Sequence, residues 1–406
     1  MGDVLNMSQF VDIDVAIIGA GIAGTSIARE LSKYDLSITV LERTNGIGLE
    51  GTATNHHLVC QGGDSLTFRP GTLHAELNIK SIPLWPKLAE DLNFKFRRIG
   101  GLWLIRDNSD FNKFQKMYLR AFKSSLDPKS PNLIPEGSFT PLKFIDKKGL
   151  KDLEPEISDE FLGALYDPNL ATVDPPEVAR AYAENAKANG VNFLFNTEIK
   201  KINKVLGKFE LISDKISIRS KLVINAAGIE ADRMAELVKA RDFSYVPFKG
   251  TIVELDEDLG KMIKHEALVL PRGSPHLQVI APTVDNKLLA GIYLEMSYRS
   301  NKEVKDYAVK HAIDVSKKLF PKIPFENHIT RPITGFMAMT NPDTGWHDFV
   351  IGMPDLVPYW INIVLGPAGV SASPYLGKKV VELLYKSGVN LVEKKNFSNV
   401  RKEVVP

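Results

Sequence analysis

The stretch Asp12-Ile-Asp-Val-Ala-Ile-Ile-Gly-Ala-Gly-Ile-Ala-Gly24 decides the fold. Val15 to Ile18 form a continuous apolar run that reads as a buried parallel strand, and Gly19-x-Gly21-x-x-Gly24 leads from it into a helix ending near Tyr34. In this spacing Gly19 permits a tight turn, Gly21 lets backbone amides approach a pyrophosphate, and Gly24 lets the helix pack closely on the strand. The phosphates would sit at the positive end of that helix. A second strand, Ser37 to Leu41, ends in Glu42, whose carboxylate is placed to accept hydrogen bonds from the ribose hydroxyls of an adenosine. A GxGxxG alone says little. Strand, helix, second strand and terminal carboxylate together point to a bound dinucleotide.

The 406 residues allow two or three cores, and 44% hydrophobic residues is the composition of an ordinary globular protein. With 51 basic against 49 acidic residues there is no basic field of the kind that non-specific nucleic-acid binding needs, so nucleic acid is excluded as a partner. A single cysteine, Cys60, excludes an internal disulfide and any four-cysteine zinc or iron–sulfur site, and it suits a reducing cytoplasm. There is no secretory signal pattern and no apolar run long enough to span a bilayer, so membrane contact would be peripheral, at the inner face and through a partner.

Beyond the first unit, Thr52-Ala-Thr-Asn-His-His57 offers hydroxyls, an amide and two imidazoles where a dinucleotide's pyrophosphate and ring would extend; a plain polar loop fits the local sequence as well. A helix is expected over Leu73 to Leu92, then a strand Gly101 to Ile105 and a helix from Phe111 to Lys123. Asp174-Pro-Pro-Glu177 reads as a capping box opening a helix to Asn189, followed by a strand Val191 to Phe195 with Asn196 to Ile199 at its end. Asn225-Ala-Ala-Gly228 is a small-residue turn after another strand. From Tyr245 to Ile333 the pattern turns to strands, interrupted by a helix over Asn301 to Leu319. Trp360 to Leu365 is again a buried strand, and after Gly366-Pro-Ala-Gly369 a closing helix is expected with Ser373 as its cap and Pro374 at its first position. The fold class is therefore α/β, or α+β in two domains. A Rossmann-like nucleotide-binding domain comprises 1–75, 152–235 and 334–406, and an inserted mixed or antiparallel sheet domain comprises 76–151 and 236–333.

The order of these signals resembles the D-amino-acid-oxidase-like FAD oxidoreductases over nearly the whole chain. The residues that carry the likeness are Gly19-x-Gly21-x-x-Gly24 with Glu42, Thr52-x-Thr-Asn-His56, Gly163-Ala-Leu-Tyr with Asp174-Pro175, Asn225-Ala-Ala-Gly228 and Gly369-Val-Ser-Ala-Ser-Pro374. Asn55-His-His-Leu58, Pro70-Gly-Thr-Leu and Gly366 to Pro374 are most similar to FAD-dependent glycerol-3-phosphate dehydrogenases, with L-2-hydroxyglutarate dehydrogenases close behind. The resemblance implies non-covalent FAD held by Gly19, Ala20, Gly21, Ile22, Ala23, Gly24, Glu42 and Arg43, by Thr52, Ala53, Thr54, Asn55 and His56, by Ile199, Ala227 and Gly228, and by Gly366, Gly369, Val370 and Ser371. It implies oxidation of sn-glycerol 3-phosphate to dihydroxyacetone phosphate, with hydride passing to flavin N5 and electrons going on to a quinone, a membrane relay or another acceptor protein. An anionic substrate needs cations, for which Lys249, Arg272, His276 and Arg331 are the candidates, and His56, His57 and His276 are the candidate bases.

The sequence also departs from the family. Its loop histidine and arginine fall on Cys60 and Asp64, and its Gly-x-Arg-Pro motif appears as Gly335-Phe-Met337-Ala338. Oxidation of an L-2-hydroxy acid or an amino acid remains open on the same scaffold, as does a non-catalytic flavin-binding assembly subunit. A homodimer and a membrane-anchoring partner are expected by analogy alone.

Overall fold

Val11–Ile18 is the strand on which the first sheet is laid, with parallel neighbours on both sides, Ile38–Leu41 and Ser217–Asn225. Asn192–Leu194 adds a parallel strand beyond Ile38–Leu41, and Trp360–Val364 runs parallel to the end of Ser217–Asn225. The computed structural model describes residues 10–60, 69, 71–126, 140–272, 277–340 and 347–401. Among these residues the strands form three sheets of eight, eight and three strands.

The helix Ile22–Leu31 lies against the first sheet between Pro175–Ala188 and Gly369–Lys386. Their shared core includes Ile17, Ile27, Leu31, Val40, Ala183, Leu376 and Val380, all fully or almost fully buried. Each large aliphatic side chain there contributes roughly 1.5–3 kcal/mol of burial. The continuous apolar runs read from the sequence follow from this packing, because a parallel strand covered on both faces has no solvent side.

The second sheet is long and mostly antiparallel. Tyr245–Leu255 pairs with Ile329–Thr340 on one side and Leu288–Met296 on the other, and the sheet continues through Leu277–Pro282, Glu266–Val269, Gly101–Ile105, Gly163–Asp167 and Lys143–Asp146. Glu266–Val269 and Gly101–Ile105 are its parallel pair. Gly163–Asp167, which falls in the stretch expected with the nucleotide-binding part, lies in this second sheet because it pairs with Gly101–Ile105. Among the described residues no helix is long and apolar enough to cross a membrane.

Four local expectations are corrected. The helix over Leu73 to Leu92 is two helices, Leu73–Ser81 and Trp85–Leu92, joined by a tight 3-10 turn at Ile82–Leu84, because Pro83 and Pro86 each remove a backbone donor. Asp174 precedes its helix without capping it: its side chain lies 3.6 Å from Arg180, and Glu177 pairs with Arg180 and Arg401. The closing helix starts at Gly369, not after Ser373, so Pro374 sits inside it; Ser373 instead meets the Tyr182 hydroxyl at 3.1 Å and its carbonyl accepts from Ser26. The helix expected from Asn301 starts at Asp306, and the residues before it are held by ion pairs described below.

Candidate active site

A cavity of about 1080 Å³ runs from the first sheet to the second. That lies at the upper end of ordinary ligand pockets, as an elongated ligand requires. At one end it is bounded by Gly19, Gly21, Ile22 and Ala23, so the N-terminus of the helix Ile22–Leu31 opens directly onto it. Gly21 offers no side-chain cap to that helix, which leaves its positive end for an anion. Two of these positions need glycine. Gly19 has φ +102°, and a Cβ there would lie 2.5 Å from the Ala226 carbonyl oxygen; a Cβ on Gly24 would overlap the Gly19 carbonyl oxygen.

Glu42 lines the same end and is fixed before any ligand arrives. Its Oε2 accepts from the Ala20 amide at 2.7 Å, and its Oε1 accepts from the Thr44 amide at 2.7 Å and hydroxyl at 2.8 Å. A carboxylate has further lone pairs, so the oriented group can still accept from ribose hydroxyls. Thr52 fixes the loop onto the helix, its hydroxyl accepting from the Ile22 amide at 3.0 Å. Across the mouth lies a network of charges: Arg43 faces Glu50 at 3.5 Å and Glu230 at 3.9 Å, Lys302 faces Glu50 at 3.2 Å, and Arg299 chelates Asp232 at 2.8 and 2.5 Å. Thus the segment before the helix Asp306–Leu319, which leaves the second sheet, is pinned to loops of the first.

Of the residues expected at a cofactor, Gly19, Gly21, Ile22, Ala23, Glu42, Arg43, Thr52, Thr54, Asn55, His56, Ile199, Ala227, Gly228, Gly366, Gly369 and Val370 line this cavity. Ala20, Gly24, Ala53 and Ser371 do not; Ala20 serves through its amide to Glu42, and the Ser371 hydroxyl accepts from the Cys60 amide at 2.9 Å. A helix N-terminus, an oriented carboxylate and a cradle closed to side chains fit the diphosphate and ribose of FAD.

The other end lies over the second sheet, where Ile252, Leu268, Leu270, Val279, Ile292 and Leu294 form an apolar wall beside the buried Glu266, and Trp103, Met117, Lys113, Cys60, His56 and Arg69 also line the cavity. His56 Nε2 lies 2.6 Å from the Gly291 carbonyl oxygen. A carbonyl only accepts, so Nε2 carries the hydrogen and Nδ1 the lone pair. Burial holds the His56 pKa at about 4, which keeps the ring neutral at ordinary pH.

The other expected site residues are placed elsewhere. His57, in a left-handed conformation at φ 59°, does not line the cavity; its pKa is also held at about 4, by burial, with Asp285 and Glu254 nearby. Lys249 is fully buried away from the cavity, its Nζ 2.5 Å from Glu295 and donating to the Glu303 carbonyl at 3.0 Å. Arg272 is held by Asp107 at 2.7 Å and Asp110 at 2.6 Å, and Arg331 lies on the surface beside Glu254 at 3.3 Å. His276 and Asp64 lie outside the described residues. The cations that do reach the second end are Arg69 and Lys113, neither of which the sequence singled out.

Buried histidines give the molecule an acid sensitivity. Burial holds His347 at a pKa of about 3, beside Arg69, while an unfolded histidine titrates near 6.5. Between those values the unfolded chain binds more protons than the folded one, so stability is constant above about pH 7 and falls as the pH drops below 6.5. At pH 5 this amounts to ~2 kcal/mol for His347 alone. Thermal melts should show Tm falling from pH 7 to pH 5, with a visibly smaller fall for His347→Gln; an identical fall in both proteins would exclude this cause.

The chain is similar to known proteins over most of its length. The family described as FAD dependent oxidoreductase matches residues 14–383. The glycerol 3-phosphate dehydrogenase of Caloramator mitchellensis is 30% identical over 393 residues, 96% of this chain and 78% of that protein. The glycerol 3-phosphate oxidase of Mycoplasma pneumoniae is 26% identical over 380 residues, 91% of this chain and 94% of that protein. Among solved structures, the dithionite-reduced L-alpha-glycerophosphate oxidase from Mycoplasma pneumoniae with FAD bound superposes with a TM-score of 0.85 at 22% identity, covering 96% of this chain and 98% of that one.

Proposed function

The chain belongs to the FAD dependent oxidoreductase family and is an FAD-dependent oxidoreductase, and on that premise we propose that it oxidises sn-glycerol 3-phosphate at carbon 2 to dihydroxyacetone phosphate. The observation that carries this reading is the presence of Arg69 and Lys113 in the lining of a cavity that has an apolar wall on its second-sheet side, where Glu266 is the one carboxylate among the strand residues that line it. A phosphate dianion matches a guanidinium and an ammonium, and an apolar wall strengthens that attraction by keeping water out. The names of two relatives aligned over more than nine-tenths of this chain, glycerol 3-phosphate dehydrogenase and oxidase, support the same substrate.

FAD, when bound, supplies the acceptor for the hydride that leaves carbon 2. The hydroxyl proton goes to His56 Nδ1, whose lone pair is exposed by the bond that Nε2 makes to Gly291 and is kept available by burial. Arg69 and Lys113 hold the phosphate, so the carbon to be oxidised is placed by its own charged end. Ile252, Leu268 and Ile292 exclude water from the reacting carbon.

Anaerobic mixing decides the substrate. Glycerol 3-phosphate should bleach the flavin absorbance within seconds and L-2-hydroxyglutarate should leave it unchanged; the reverse pattern would overturn the reading in favour of a 2-hydroxy acid. The acceptor is proposed to be a quinone or relay protein, in line with the dehydrogenase relative. Dye or quinone reduction should then proceed much faster than oxygen uptake.

A further inference from the structure

Arg69 lines the cavity immediately before the Pro70-Gly-Thr-Leu segment, and a fully buried histidine meets its guanidinium. Arg69 Nη1 lies 2.9 Å from His74 Nε2, and the same nitrogen lies 3.1 Å from the carbonyl oxygen of Pro367, in the turn that lines the cavity at Gly366–Gly369. The ring has no freedom to turn away. It packs on Phe349 at 4.8 Å and His347 at 6.1 Å, and its own amide and that of Leu73 donate to the Asp348 carboxylate at 2.8 and 3.1 Å. His74 Nδ1 is buried with no hydrogen-bond partner among the described residues.

A guanidinium only donates and a carbonyl only accepts, so one imidazole nitrogen cannot serve both. With the proton on Nδ1, Nε2 accepts from Arg69 and the Pro367 oxygen loses its donor. With the proton on Nε2, the ring donates to Pro367 and presents a hydrogen to Arg69. We infer that His74 is a positioning residue that couples the substrate-end arginine to the cofactor-side turn. In the empty site it holds Arg69 toward the cavity. When an anionic group draws the guanidinium away, the ring proton moves from Nδ1 to Nε2 and the ring donates to Pro367, with no net uptake of a proton. This rests on the reading that Arg69 binds the substrate's anionic end.

Coupling of this kind is reciprocal: an anion that frees His74 for Pro367 firms the turn against the cofactor, and bound cofactor tightens the anion by the same factor. The test uses holoenzyme and inorganic phosphate. Phosphate binding is followed by perturbation of the flavin absorbance, and FAD release by the recovery of flavin fluorescence on dilution. In the unaltered protein phosphate should slow FAD release by roughly fivefold, the lower end of ordinary coupling. His74→Phe should retain FAD, bind phosphate ~10-fold more weakly, and show no effect of phosphate on FAD release. In His74→Gln the side-chain oxygen accepts from Arg69 while its amide donates to Pro367, so phosphate binding should survive and the coupling disappear. That variant carries the test if the phenylalanine protein does not fold. Coupling that is absent from the unaltered protein, or that persists in His74→Gln, overturns the proposal. Because bleaching by glycerol 3-phosphate is measured separately, loss of the substrate reading and loss of the His74 role are distinguishable.

Discussion

Gly24→Val should purify without flavin. The added side chain begins with a Cβ that overlaps the Gly19 carbonyl oxygen and lies 3.1 Å from the Gly19 carbonyl carbon. The turn cannot recoil, because the Gly19 amide is bonded to the Leu41 carbonyl at 2.8 Å and the Ala226 amide to the Ile18 carbonyl at 3.0 Å. The helix Ile22–Leu31 must therefore move away from the sheet, and its first turn is the part that bounds the cavity where a pyrophosphate would lie. Overpacking of this kind costs about 1–3 kcal/mol, and the upper figure corresponds to ~100-fold in affinity for FAD. The measurement is flavin absorbance per mole of protein after gel filtration, with circular dichroism to show that the fold persists. Gly352→Ala is the control, because nothing lies within 4 Å of the position its Cβ would take. Full flavin content in Gly24→Val would remove the physical basis of the nucleotide site.

That end of the molecule was legible in the sequence because its determinants are local. A strand, a turn, a helix and one carboxylate within Val11 to Glu42 fix the geometry by short-range sterics, and the structure adds only the anchoring of Glu42 by Ala20 and Thr44. The other end is built by register. Lys249, Arg272 and Arg331 looked like free cations in sequence, but each meets a carboxylate that a distant strand or helix brings to it: Glu295 on Leu288–Met296, Asp107 and Asp110 beside Asn108–Leu126, and Glu254 on Tyr245–Leu255. Nothing in the neighbours of those residues announces the pairing. Arg69 is unmarked for the converse reason, since it meets His74, whose ring lies beside the Pro367 carbonyl almost three hundred residues away. The break at Ile82–Leu84 follows from Pro83 and Pro86, to which apolar spacing alone is blind.

Arg69→Met should lower kcat/KM for glycerol 3-phosphate by two to three orders of magnitude, about 3–4 kcal/mol, mostly through KM. Methionine keeps the length and most of the packing and removes only the charge and the donors, so flavin content should not change. The effect is large because the guanidinium enters a cavity with an apolar wall, where losing it leaves a desolvated dianion with Lys113 as its remaining cation. Arg331→Met supplies the contrast: its ion pair with Glu254 is on the surface, the arginine side chain 63% exposed, and exposed pairs are worth little, so its kcat/KM should stay within about twofold. Glycerol, which lacks the phosphate, sharpens the assignment. If Arg69 acts on the phosphate, the substitution and the truncated substrate remove the same interaction, and Arg69→Met should oxidise glycerol as slowly as the unaltered protein does, with no further loss. A second full loss on glycerol would mean that Arg69 acts elsewhere in the site, and an unchanged KM for glycerol 3-phosphate would mean that the phosphate is held by other groups.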